Sequence, residues 1–158
     1  MSASSQNIQS SAARREVEAQ LLGLLVKFAP THQSLVGAIR RKLRKLLPTA
    51  HEVVYEYRDC VVVSCTPNGH GYEGVFAIRA DANGVRLCFN SAKELADPAK
   101  LLRGAGKLMR WVQVESASTL ARPEVADLIG QAIARNRVPF EGTGRGAVTL
   151  SPAAAKRR

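Results

Sequence analysis

Residues 103–114 read RGAGKLMRWVQV, and the fold turns on whether the glycine-lysine pair opens a helix or a strand. A phosphate loop has the form G-x-x-x-x-G-K-[ST] and launches a helix whose N-terminal amides face the anion. Here Gly106 and Lys107 match the last pair, but Leu101 stands where the first glycine belongs. Leu108 replaces the metal-binding hydroxyl, and MRWVQVE (109–115) alternates like a strand. The dinucleotide fingerprint fails in the same way, because it too opens a helix. The segment therefore reads as a glycine-relieved turn into a strand, which excludes the common nucleotide-binding α/β folds.

The stretch before it has period two. Residues 52–57, 60–65, 74–80 and 85–90 are rich in β-branched and aromatic side chains. Turn clusters PNGHG (67–71) and DANG (81–84) separate them. This predicts an antiparallel meander of about five strands, closed by 109–115. Asp97-Pro98 reads as the start of a short helical turn.

Helical periodicity flanks the meander. Residues 14–29 repeat apolar positions at Val17, Leu21, Leu24, Leu25 and Phe28, and Pro30 ends that helix. Residues 32–47 form a second helix, capped by Thr31, with Leu35, Ile39, Leu43 and Leu46 as its apolar stripe. Arg40, Arg41, Arg44 and Lys45 are placed on the opposite, solvent side. Pro123 opens a third helix over 123–136, with Val125, Leu128, Ile129, Ala132 and Ile133 inward. The expectation is an α+β two-layer domain over 14–138, with a disordered 1–13 and a flexible basic tail over 139–158.

Composition narrows the class. The chain has 158 residues, 46% hydrophobic and only 5% aromatic, which suits one aliphatic core. No apolar run approaches the roughly 20 residues of a membrane span, and the N-terminus lacks a secretory pattern. A cytoplasmic protein is expected. Cys60, Cys65 and Cys88 cannot all pair, and no C-x-x-C occurs. Cys60 and Cys65 should point to opposite faces of their strand.

The net charge is +10 and unevenly placed. Residues 30–58 hold six cations against two acids, 137–158 five against one, and 59–121 seven against six. Such a field recruits anionic partners. The candidate contacts are Arg40, Arg41, Arg44 and Lys45 on the helix, and a lip of Arg103, Lys107 and Arg110. Nucleic acid or an acidic protein would be the partner. Aromatics are too few for stacking platforms, and no sequence-specific DNA- or RNA-binding signature is present.

Catalytic chemistry is not nominated. His32, His51 and His70 have no metal-ligand spacing, no nucleophile elbow exists, and neither a metal nor a cofactor is expected. Glu52, Glu56 and Asp59 lie at the first hairpin, where a Glu56 buried beside Arg79, Arg86 or Arg110 would be structural. A small-ligand pocket beside Tyr55, Tyr57, Trp111 and Arg110 is the enzyme or binder alternative.

The order of these pieces resembles a known family. The string LVGAIRRKLRKLLPTAHE leading into a strand, then GVFAIRA, then LLRGAGKLMRWVQV and RPEVADLIGQAI, is similar to the YdhG-like domains of unknown function found in bacteria. The likeness covers roughly residues 16–140. It implies a small α+β fold with an antiparallel sheet, and no established activity. One branch of that family is likened to frataxin, which implies a further alternative, an iron chaperone. Frataxins face iron with a run of carboxylates, whereas helix 14–29 here has Glu16 and Glu18 and helix 32–47 has none.

Overall fold

The computed structural model describes residues 9–106, 108–140 and 142–151. The fold is α+β. Helices α1 (Ser11–Leu25) and α2 (Pro30–Leu46) precede strands β1 (His51–Glu56), β2 (Cys60–Thr66), β3 (Phe76–Asp81), β4 (Gly84–Phe89) and β5 (Arg110–Val114). Helices α3 (Ala117–Ala121) and α4 (Pro123–Arg135) come next, and β6 (Val148–Leu150) ends the described chain. Among the described residues no helix is long and apolar enough to cross a membrane.

One sheet carries all six strands in the order β5-β4-β3-β2-β1-β6. Neighbours are antiparallel except β1 and β6, which pair in parallel through Glu52↔Val148, Val53↔Thr149 and Val54↔Leu150. The meander arises from its turns. Asp81 Oδ1 accepts from the Asn83 amide, and Gly84 takes the positive φ of 133° that closes the β3–β4 hairpin.

Strand alternation divides the sheet into two unlike faces. Val54, Val63, Ile78, Leu87 and Val112 lie in one register and are buried with the apolar sides of all four helices in a single cluster. Val53, Cys60, Ala77 and Cys88 on the other face are buried but do not join that cluster. The helices therefore form one layer, and the second face of the sheet is left without helical cover.

Four expectations need correction. Pro30 does not merely end the first helix; it is the first residue of α2, with Ala29 at the cap in place of Thr31. A proline suits that position because its missing N–H would have no partner there. The stripe of α2 is rotated: Val36, Ile39, Arg40, Leu43 and Leu47 are buried, while Leu46 is 47% exposed. Asp97 opens a single turn, its carbonyl accepting from the Lys100 amide, but no helix follows. Its two carboxylate oxygens accept from the amides of Leu101 and Leu102, fixing a loop. Finally, the 139–158 stretch is not wholly a tail, because β6 forms the sheet's far edge.

The attachment of β6 is local and polar as well as apolar. Gln9 brackets Val148, donating to its carbonyl and accepting from its amide. Arg14 donates to the Gly146 carbonyl at 2.7 Å, and the Ala147 amide donates to His51 Nδ1. Gly146 itself has no room for a side chain, since a Cβ there would run into the Ala50 carbonyl.

Candidate functional site

The cationic helix is the place to begin, because burial splits its charges into two groups. Arg40 is only 8% exposed and faces inward. Its guanidinium holds two carboxylates at once. Nε and Nη2 donate to Glu52 at 2.9 and 2.7 Å, while Nη1 and Nη2 donate to Glu18 at 2.7 and 2.8 Å. Paired N–H donors aimed at a carboxylate are the strong form of this interaction. Arg44 adds a 3.2 Å contact to Glu52 and approaches Glu18 at 3.6 Å.

This cluster ties α1, α2 and β1 together. The hydrogen bond from Arg40 is the main force holding the Glu18 carboxyl below its ordinary pKa, against an opposing push from burial. Burial alone lowers the Arg40 pKa, but its bonds to Glu18 and Glu52 outweigh that and raise it. Arg14 nearby is lowered, first by burial and then by repulsion from Arg145 and Arg44. Arg40 is thus fully answered within the fold, and Arg44 is largely so.

The remaining charges of α2 are different. Arg41 and Lys45 are exposed, one helical turn apart, with Lys42 half-buried beside them. Among the described residues no carboxylate lies within ion-pair range of any of the three. Like charges at i and i+4 repel weakly, so this face is electrostatically unsatisfied.

The glycine-lysine segment behaves as a turn. Arg103 and Trp111 exchange both backbone hydrogen bonds, at 2.8 and 3.0 Å, so the chain doubles back as an antiparallel bridge beside β5. Gly104 has φ 115°, and a Cβ there would stand 2.6 Å from the Trp111 ring, so only glycine fits. Arg103 is exposed. Arg110 is half-buried, and its Nε donates to the Gly106 carbonyl, closing the loop on itself. Lys107 lies outside the described residues.

The anticipated pocket is divided by the sheet. Tyr55 and Trp111 point to the open face and Arg110 to the helix-covered one, as their registers require. The same alternation separates Glu56 from Arg79 and Arg86. A cleft lies elsewhere, beside the start of β3 and the end of β4. It measures about 530 Å³ and is floored by Val75, Phe89 and Ala132, with Lys93, Arg135 and Arg137 at its rim.

The cysteines take the faces that alternation dictates, with Cys60 on the open side and Cys65 in the core. All three are free thiols. Burial pushes Cys65 up to about 12 and Cys88 up to about 11, so neither is an activated nucleophile at neutral pH. Among the described residues no group of three or more His, Cys, Asp or Glu side chains is placed to share a metal ion.

Sequence spacing missed Glu18 and Glu52 as partners of Arg40, which are 22 and 12 residues away. The signal that could have found them was the α2 wheel itself, since positions 36, 39, 40, 43 and 47 form one stripe. Comparisons with family models, curated proteins and solved structures found no match to this chain.

Proposed function

We propose that the protein is a small cytosolic binding module of the YdhG-like kind, without catalysis of its own, that docks an anionic partner on the outer face of α2. The observation that carries this reading is the contrast along one helix. Arg40 and Arg44 meet carboxylates of the fold, whereas Arg41, Lys42 and Lys45 meet none among the described residues. Charges that a fold does not use are available for a partner, and their field reaches outward about a Debye length. The nucleic-acid backbone is the partner chemistry that suits a row of cations best, because contacts to phosphate need charge rather than shape. The order of helices and strands is in keeping with the YdhG-like part of this reading alone, since that resemblance carries no established activity. The basic residues 156–158 would add affinity of the same kind.

The test is a charge reversal of Arg41 and Lys45 to Glu, leaving Arg40 and Arg44 intact. Retention on heparin and on nucleic acid should be lost or moved to much lower salt, with the melting temperature within about 2 °C of wild type. Unchanged retention by a folded double variant overturns the reading.

A further inference from the structure

The open face of the sheet carries a second charged feature that α2 does not account for. Two rows of side chains cross it. Val53, Ser64, Ala77, Cys88 and Trp111 form one, and Tyr55, Val62, Arg79, Arg86 and Gln113 form the next. In the second row Arg79 stands directly opposite Arg86, with their Cβ atoms about 5 Å apart as antiparallel pairing dictates. Like charges so placed cost stability. Asp81 answers only one of them, at 3.3 Å from Arg79 Nε. Among the described residues no carboxylate lies in ion-pair range of Arg86, whose guanidinium instead sits 4.4 Å from the centre of the Trp111 ring.

Flat surfaces flank this cationic centre. Toward β5 the guanidinium of Arg86 lies on the indole of Trp111, and toward β1 the rings of Tyr55 and Tyr57 stack at 6.2 Å and 11°. From β1 to β5 the face spans four strand steps, about 19 Å. Three of the chain's eight aromatics thus lie around an arginine pair, so the expectation from composition that aromatics are too few for a platform does not hold for this face; their separation in sequence conceals the arrangement.

We propose that this open sheet face binds single-stranded nucleic acid, with phosphates at Arg79 and Arg86 and bases against the Arg86–Trp111 stack and the Tyr55–Tyr57 pair. Guanidinium planes and aromatic rings both serve as platforms for unstacked bases, and every base has a π-face to offer. Charge decides against a second copy of the chain: face-to-face docking would set arginines against arginines. A duplex keeps its bases inside and cannot use the platforms. An acidic peptide would answer the guanidiniums but has no use for the stacked rings. This site lies on the opposite side of the molecule from the cations of α2 and stands or falls separately from them.

Trp111 is the sole tryptophan, so the protein carries its own reporter. Full-length protein would be titrated at low salt with a ten-residue oligothymidylate and with an abasic oligomer of the same backbone. The oligothymidylate should quench Trp111 saturably, and the abasic oligomer should bind at least tenfold more weakly. Arg79→Gln with Arg86→Gln should weaken binding at least tenfold, whereas Arg41→Glu with Lys45→Glu should leave the saturable quench in place. Since Trp111→Ala removes the reporter together with the platform, that variant would be read by anisotropy of labelled oligothymidylate, and it should bind at least about fivefold more weakly. The site is overturned by any of three results: no quench, equal binding of the abasic oligomer or of polyglutamate, or loss of the quench only when α2 is reversed.

Discussion

Arg40 shows how one side chain can change the meaning of a helix. Replacing it by alanine leaves Glu18 and Glu52 with only the more exposed Arg44 as partner, and breaking a buried pair in this way costs about 3 kcal/mol, the lower end of the usual range. Arg41→Ala, one residue on but exposed, should stay within about 0.5 kcal/mol. Urea unfolding of the two variants side by side checks the contrast. The same cluster predicts a pH dependence. Glu18 has a lower pKa folded than unfolded, so its contribution is fully present above the ordinary carboxylate value of 4.5. It is lost as pH falls through the lower folded value. Glu18→Gln should therefore flatten the acid limb of a stability profile and leave the limb above pH 6 unchanged in slope. None of this was legible from residues 40–45 alone. The stripes 35-39-43-46 and 36-40-43-47 both satisfy helical periodicity, and only the carboxylates brought from α1 and β1 make an inward arginine affordable.

Among the elements, β6, like the five-residue α3, is one that periodicity could not announce. Three residues are too short to display alternation, and the glycine-rich residues around them read as loose chain. Pairing to β1 gives Val148 full burial and covers an edge that would otherwise present free amides and carbonyls. Ending the chain after Gly144 removes that strand together with the partners of Gln9 and Arg14. The melting temperature should fall by at least about 5 °C, since each kcal/mol is worth about 2–4 °C at this size, and light scattering should rise on heating. A truncated chain that melts like wild type would show that the strand contributes nothing. The long meander, by contrast, was readable, because β-branched runs between Asn-Gly and Asp-Ala-Asn-Gly turns admit few other structures. So was the strand after Lys107, where the alternation of 109–115 outweighed the likeness to a phosphate loop.

For the molecule as a whole, the excess of +10 is a statement about partners more than about folding. If Arg41, Lys42 and Lys45 each release a counterion on binding, log affinity for DNA should fall against log salt with a slope of about −2 to −3 from this face alone. Reversing Arg41 and Lys45 should reduce the slope by about two. Affinity measured between 50 and 200 mM salt tests this directly; a slope indifferent to both residues would remove α2 from the interface.

By itself the sequence determined the α+β class, the hairpin order and the uneven charge. Those arise from periodicity and turn chemistry, which act over a few residues and are visible in any window of the chain. Only the tertiary structure decided which charges are consumed and which are offered. Arg40 meets Glu18 and Glu52, and Arg79 faces Arg86 beside Trp111, because strand register and helix rotation bring distant positions together. Register and rotation are outcomes of packing the entire core, and no local pattern encodes them.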